Sequence, residues 1–160
     1  GSGSVAAQIL SLDYLWNRIR VQGGAYGAGT SIRPNHSVIS YTFRDPSPVA
    51  SVDVILSMPD YLRQFCQSDS DIRKYIISTV SDTEPLRTPY VKGKIATAEY
   101  LSGATDEDKR RQRREMLATS AEDLLRWADI LEKGASEGSV CVIGFSDAIS
   151  SADHLVIEEL

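Results

Sequence analysis

Residues 19–29 read IRVQGGAYGAG, and the hydrophobic period of the chain changes within this stretch. Before it, apolar residues recur at helical spacing, at positions 5, 9, 12, 16 and 19, which predicts an amphipathic helix over residues 5–22. The paired glycines Gly23 and Gly24 end that helix. After them, β-branched and aromatic residues over 25–32 and 38–44 predict a β-hairpin with its turn at residues 33–35.

Helix start and stop signals then fill the chain as far as residue 134. The first predicted helix has Ser47 as its N-cap, and a short helical segment continues from Pro59 to Gln67. Asp69 is the predicted N-cap of the next helix, and another runs from Thr88 to Gly103. Thr105 starts the next, and Ser120 with Asp123 forms a capping box for the last long helix, which Gly134 ends. Two apolar runs, 140–145 and 155–157, predict strands, the first of them buried.

Helices that outnumber strands and follow a hairpin indicate an α+β fold, with the helices packed on a mostly antiparallel sheet. We interpret residues 1–4 as a linker remnant and residues 5–160 as most of one domain of a larger protein. A hairpin with one distant strand makes a thin sheet, so we expect further strands upstream of residue 1. Its unpaired edges predict self-association of the isolated chain, by a partner copy or by exchanged strands; a monomer at high concentration would contradict this.

The composition is that of an ordinary globular domain and argues against several functions. The 22 acidic residues exceed the 17 basic ones, which is unlike a dedicated nucleic-acid binder. No run approaches the roughly 18 apolar residues of a membrane span, so we expect no membrane partner. Two cysteines are too few for a disulfide framework or a zinc site, and neither His36 nor His154 lies in a metal-binding motif. We therefore expect this chain to bind no metal.

The glycine-rich residues 23–29 have two interpretations, and a tight helix-to-strand turn is the simpler one. They do not form a dinucleotide loop, because such a loop leaves a strand and opens a helix, whereas this one leaves a helix and opens a strand. The functional interpretation rests on Arg20, which precedes Tyr26 by six residues, since a guanidinium and a phenol held together suit carbonyl oxygens and a developing oxyanion. A peptide substrate would then lie close to the backbone at Gly23, Gly24, Ala25 and Gly27.

Residues 109–114, KRRQRR, are typical of a nucleic-acid patch when taken alone. On a helix, however, acidic residues lie three and four positions away, at Asp106, Glu107 and Glu115, and aromatic stacking residues are absent from the segment. We therefore favour a solvated, ion-paired helix and expect no nucleic-acid partner. Nucleic-acid binding through this run remains an alternative hypothesis, which undetectable binding at low salt would exclude.

Residues 14–27, YLWNRIRVQGGAYG, resemble a signature in the C-terminal half of the insulinase-like (pitrilysin) zinc metallopeptidases, most closely in the presequence-protease subfamily. The resemblance continues through SYTFRDP at residues 40–46, YLSG at residues 100–103 and VCVIG at residues 140–144. It covers nearly the whole chain after the first few residues.

The resemblance implies a parent polypeptide of four similar α+β domains, paired into two halves that close around a peptide. This chain would be most of the fourth domain. The family's zinc motif, H-x-x-E-H, belongs to the first domain, so zinc would be bound by the parent and not by this chain. The far half of the family's enzymes contributes an arginine and a tyrosine to the active site. These correspond to Arg20, as an anchor for the substrate backbone, and Tyr26, as a hydrogen-bond donor to the oxyanion.

The implied function is that of a zinc metalloendopeptidase degrading short unstructured peptides, in which this chain is the C-terminal, non-zinc-binding domain. It would work with the N-terminal catalytic half of the same polypeptide and be inactive alone. The alternative is a scaffolding or assembly domain of a catalytically inactive homologue, and a zinc motif in the first domain decides between the two. The expected location is the cytoplasm of a bacterium, or an organelle matrix in a eukaryote.

Overall fold

A long helix at the start of the chain forms the centre of the fold. In the computed structural model, which describes residues 1–33, 37–68 and 70–149, α1 (Ser2–Ile9) continues directly into a π-helical segment, Leu10–Gln22. The predicted helix is therefore confirmed, but it begins earlier, because residues 2–4 form its first turn. Gly3 packs so closely that an added Cβ would lie 2.6 Å from the Trp127 ring.

The π winding changes which residues of this helix reach the core. Its i→i+5 bonds widen each turn, so the buried positions Leu10, Leu15 and Ile19 recur every four to five residues. Leu12 and Trp16, which the helical spacing predicts on the apolar face, are 49% and 40% exposed. Trp16 is therefore not a core residue, contrary to the prediction from its position.

Two adjacent glycines allow the π-helical segment to end abruptly. Gly24 has a φ of 79°, in the left-handed region that glycine adopts without strain. The N–H of Gly24 donates to the Arg20 carbonyl and that of Ala25 donates to the Ile19 carbonyl, both at 3.1 Å. A Cβ on Gly23 would lie 2.6 Å from the same Ile19 oxygen. This closure resembles the glycine-terminated ends common among α-helices, and it sends the chain straight into the first strand.

The predicted hairpin is confirmed as two antiparallel strands, β1 (Gly27–Ile32) and β2 (Val38–Phe43), paired from Gly27 with Phe43 to Ile32 with Val38. Residues 34 and 35 of its predicted turn lie outside the described part of the chain. On the other side of β1, the Ser11 hydroxyl replaces a strand partner: its oxygen lies 3.0 Å from both the amide nitrogen and the carbonyl oxygen of Thr30.

Seven further helices follow in the described part of the chain. They are α2 (Pro48–Leu56), α3 (Met58–Gln67), α4 (Ile72–Thr83), α5 (Pro89–Ser102), α6 (Asp106–Leu117), α7 (Ala121–Glu137) and α8 (Ser146–Ile149). The capping boxes at Thr105 and Ser120 both form. Ser47 occupies the predicted N-cap, although its side chain accepts no capping bond. Asp69 lies outside the described residues, and the carboxylate that caps α4 belongs to Asp71.

Two predictions about the C-terminal part are wrong. Gly134 does not end the last long helix, because α7 continues through it to Glu137. Residues 140–145 do not form a buried strand, because they pair with no strand in the described part of the chain. Ile143 and Phe145 are 84% and 88% exposed, so hydrophobicity alone is a poor guide to burial here. The predicted strand at 155–157 lies outside the described residues.

The helices pack around α1 and its π-helical continuation. Side chains of α3, α4, α6 and α7 form one hydrophobic core with the side chains of these two segments. The core includes Leu62, Tyr75, Met116 and Leu124. Arg63 also ties α3 to α7 through ion pairs with Asp129 (2.8 Å) and Glu132 (2.5 Å). β1 lies against the central helix, whereas β2 is largely exposed beside an apolar groove of about 1270 Å³. The hairpin thus presents the helix-to-strand turn at the surface.

Candidate functional site

Arg20 lies in the last turn of the π-helical segment and reaches across the turn that follows it. Its Nε–H donates to the main-chain carbonyl of Tyr26 at 3.0 Å. Its guanidinium carbon lies 3.9 Å from the centre of the Trp16 ring, one helical turn earlier. Stacking and the hydrogen bond together fix the guanidinium in place, because a planar cation on an indole face is attracted to the ring electrons. The structure therefore brings together the two residues that the sequence singles out.

Tyr26 stands directly before β1, and its main chain is held more firmly than its hydroxyl. The Tyr26 N–H donates to the carbonyls of Phe43 (3.1 Å) and Arg44 (3.3 Å), and its carbonyl accepts from Arg20. The side chain is 64% exposed, with its ring edge against Phe43 at a centroid distance of 6.0 Å. A fixed backbone and an exposed phenol suit a hydrogen-bond donor that acts on an external group.

The four residues predicted to lie along a substrate have different places. Gly23 and Gly24 form the helix end described above. The side chain of Ala25 is only 4% exposed and belongs to the core, so the predicted approach of a substrate at this residue involves its main chain alone. Gly27 has open space where a Cβ would be, which leaves room for a chain to approach beside Tyr26.

Two residues of this surface were not predicted from the sequence. Phe43 and Arg44 stand opposite Tyr26 at the end of β2, and the Arg44 guanidinium carbon lies 5.5 Å from the Tyr26 ring centre and 5.4 Å from that of Phe43. The alternating pattern of β2 is a weak signal for Phe43. Arg44 lies in the segment 40–46 that carries the family resemblance, but no sequence signal indicates its contact with Tyr26, because that contact depends on hairpin register.

Arg20, Tyr26, Phe43 and Arg44 form a cluster, which we call the turn cluster. Neither arginine of the cluster forms an ion pair within residues 1–33, 37–68 and 70–149. Two cations that have no acidic partner among the described residues, beside an exposed phenol, make a surface that favours oxygen-rich ligands, such as peptide carbonyls.

No metal site accompanies this cluster in the described part of the chain. No three His, Cys, Asp or Glu side chains converge there in a way that could hold an ion. His36 and His154 both lie outside the described residues. Cys66 and Cys141 are free thiols, and partial burial raises the pKa of Cys66. The side chains that the structure describes therefore do not fit a zinc ion.

The basic run at residues 109–114 is confirmed as an ion-paired helical surface. Lys109 pairs with Glu99 and Asp106, Arg111 with Asp108 and Glu115, Arg113 with Glu84, and Arg114 with Glu107. Glu99 and Asp106 raise the pKa of Lys109. Together, the six acids offset the positive charge that would attract a phosphate backbone. Of the helices that the structure describes, none is long and apolar enough to cross a membrane.

Comparison with protein families gives a match that includes the whole turn cluster. The family model described as the PreP C-terminal domain matches residues 1–147. The chain belongs to this family. The resemblance to the presequence-protease subfamily, stated above from residues 14–27 and three further segments, is thereby confirmed.

Curated relatives of this PreP C-terminal domain are much longer than the chain. Protein HypA of Clostridium perfringens is 32% identical over 155 residues, which cover 97% of this chain and 16% of the relative. Presequence protease 1, chloroplastic/mitochondrial, of Arabidopsis thaliana is 31% identical over 155 residues, covering 96% and 14%. Presequence protease, mitochondrial, of Aspergillus fumigatus is 29% identical over 158 residues, covering 98% and 15%. The chain therefore spans about a seventh of the length of these proteins.

Proposed function

We propose that this PreP C-terminal domain supplies substrate-binding and oxyanion-stabilising residues to a peptidase active site whose metal centre lies elsewhere in the polypeptide. The parent would be a zinc metalloendopeptidase of short unstructured peptides. Its N-terminal catalytic half would be the partner of this chain, and the chain alone would be inactive. The single observation that carries the proposal is the Arg20–Tyr26 pair, in which a hydrogen bond from the arginine fixes the backbone of an exposed tyrosine.

The chemistry proposed for Tyr26 is hydrogen-bond donation to the oxyanion. Attack on a peptide carbonyl moves negative charge onto its oxygen, and a preorganised O–H donor stabilises that charge without reorganising during the reaction. The rigid main chain of Tyr26 supplies the preorganisation, since both its N–H and its carbonyl are hydrogen-bonded. The exposure of the ring leaves the hydroxyl accessible to a substrate.

The role proposed for Arg20 is to anchor the substrate backbone. Its Nε–H is occupied by the Tyr26 carbonyl, whereas its terminal nitrogens carry further N–H donors on the same planar group. Those donors suit the carbonyl oxygens of an extended peptide. The open space at Gly27 supports an extended substrate, because a chain that approaches β1 there meets no side chain.

Zinc enters the proposal only through the rest of the parent. When bound, it would supply the activated water that attacks the peptide carbonyl. Nothing proposed for this chain passes through the metal. The relatives named as chloroplastic or mitochondrial support an organelle matrix for a eukaryotic parent. For a bacterial parent, the proposed location is the cytoplasm.

The proposal is tested by peptide cleavage with the full-length polypeptide, comparing wild type and Tyr26→Phe at matched zinc content. Loss of one oxyanion donor should lower kcat by roughly 10²-fold or more. The control is Tyr41→Phe, because Tyr41 is another exposed tyrosine of the same hairpin and lies outside the turn cluster. We expect its kcat to match that of the wild type.

Unchanged cleavage by the Tyr26→Phe protein would contradict the proposal and leave the glycine-rich residues 23–29 with a structural role only. A wild type that binds no zinc and cleaves nothing would favour the alternative, a scaffolding domain of an inactive homologue. Equal losses in the Tyr26→Phe and Tyr41→Phe proteins would assign the effect to the hairpin and not to the Tyr26 hydroxyl.

A further inference from the structure

The backbone at Arg44 has an unusual conformation for an arginine. Its φ is 47°, in the left-handed region that costs free energy for any residue with a Cβ. The other positive φ angles of the described residues belong to Gly24 and Gly103. Strained non-glycine residues persist only where the surrounding structure holds them, and they concentrate at functional sites. The position of Arg44, opposite Tyr26 in the turn cluster, therefore calls for a physical explanation.

Arg44 contacts Tyr26 through both its backbone and its side chain. The Arg44 carbonyl accepts from the Tyr26 N–H at 3.3 Å, and the guanidinium lies over the Tyr26 ring at 5.5 Å. The same guanidinium lies 5.4 Å from the Phe43 ring, whose plane is inclined by 78° to that of Tyr26. The cation thus contacts both rings of an edge-to-face pair, an arrangement that opposes rotation of an otherwise exposed phenol.

We propose that Arg44 is a positioning residue for Tyr26: its side chain holds the phenol ring in the orientation that the proposed oxyanion contact needs. This inference rests on the proposed function of Tyr26 and adds a residue to it. With this left-handed backbone, the Arg44 side chain lies over the rings of Tyr26 and Phe43. The strain is retained because glycine, which would relieve it, has no side chain to cover the ring.

The test measures kcat and KM for peptide cleavage in the full-length polypeptide with Arg44→Gly. Glycine adopts a φ of 47° freely, so the substitution removes the side chain and relieves the backbone, and thermal stability should not fall. We expect kcat to fall roughly tenfold, in line with one degraded catalytic hydrogen bond, while KM changes less. Arg33→Gly, at the opposite end of the hairpin, is the matched control and should keep the kcat of the wild type.

The decisive comparison repeats Arg44→Gly in the Tyr26→Phe protein. If Arg44 acts by orienting the Tyr26 hydroxyl, the second substitution should lower kcat no further once that hydroxyl is gone. Equal losses in both backgrounds, or no loss in either, would overturn the inference. Arg44→Asn serves as a second variant, because asparagine tolerates the left-handed region better than other residues with a Cβ.

The outcomes separate this inference from the proposed function. If Tyr26→Phe leaves kcat unchanged, the proposed function fails and the role of Arg44 fails with it. If Tyr26→Phe lowers kcat and Arg44→Gly does not, Tyr26 keeps its role and only the positioning by Arg44 is wrong.

Discussion

The Arg20 side chain contacts the main chain of Tyr26 and not its hydroxyl. The guanidinium Nε–H donates to the Tyr26 carbonyl, so Arg20 fixes the main chain of Tyr26 and leaves the phenol exposed. Stacking on Trp16 holds the arginine from the opposite side. Arginine suits this place better than lysine, since only its planar group stacks and donates in a fixed fork.

Arg20→Lys in the full-length polypeptide should therefore weaken substrate binding. Charge-assisted hydrogen bonds are worth about 1.5–3 kcal/mol, so KM should rise by roughly ten- to a hundredfold despite the retained charge. The measurement is steady-state cleavage of an unstructured peptide. Arg18→Lys, an exposed arginine of the same helical segment, is the control. If the KM of the Arg20→Lys protein equals that of the wild type, Arg20 does not anchor the substrate backbone.

Substitution by alanine should change the free energy of unfolding in opposite directions at Gly24 and Gly134. Gly24→Ala puts a Cβ on a residue with a φ of 79° and should lower the free energy of unfolding by about 1–2 kcal/mol. Gly134→Ala lies within α7 with nothing within 4 Å of the new Cβ, and should raise that free energy by about 0.5–1 kcal/mol. Denaturant unfolding measures both. A stabilising Gly24→Ala would refute the assigned backbone conformation.

At the residue scale, sequence reasoning found the pair but not its surroundings. The spacing of Arg20 and Tyr26 across a double glycine is visible in the sequence. The exposure of Trp16 and the contact of Arg44 are not, because the first depends on π winding and the second on hairpin register. Nothing in the composition of residues 10–22 predicts the wider winding.

At the scale of elements, three tyrosines and one aspartate join the π-helical segment to its neighbours. The hydroxyl of Tyr75 in α4 donates to Oδ2 of Asp13 at 2.7 Å, and the ring of Tyr61 in α3 stacks on that of Tyr14 at a centroid distance of 4.5 Å. Burial, followed by interaction with the Asp13 carboxylate, raises the pKa of both Tyr61 and Tyr75 well above the ordinary value.

These raised pKa values predict a loss of stability at alkaline pH. Above about pH 10 the unfolded tyrosines release their protons while the folded ones keep them, so the unfolded state binds fewer protons and the free energy of unfolding falls as pH rises. The stabilisation is fully present below that pH. Denaturant unfolding between about pH 9 and 11 should show a steeper fall in the wild type than in Tyr75→Phe. Tyr100→Phe, at an exposed position, should keep the slope of the wild type.

Elements were predictable where capping and periodicity agree. The hairpin follows from the β-branched and aromatic residues of its two strands. The starts of α5, α6 and α7 follow from Thr88, Thr105 and Ser120, whose local capping bonds do not depend on the rest of the fold. Gly134 was misread because a helix tolerates a single glycine when its remaining bonds continue. Residues 140–145 were misread because a strand needs a partner, which a local pattern cannot reveal.

At the scale of the whole molecule, the chain spans 14–16% of the length of the relatives named above. Its candidate site is a surface without a metal centre of its own in the described residues. A surface of this kind can take part in catalysis only if another part of the polypeptide faces it. The central claim is therefore that residue 26 touches the substrate in the assembled parent.

The most direct test of that claim places p-benzoylphenylalanine at position 26 of the full-length polypeptide and irradiates it with a bound unstructured peptide. We expect a covalent crosslink between residue 26 and the peptide that excess unlabelled peptide suppresses. The same label at position 100, exposed on α5, should give none. Equal labelling at both positions, or no crosslink at position 26 while the peptide remains bound, would contradict a composite active site.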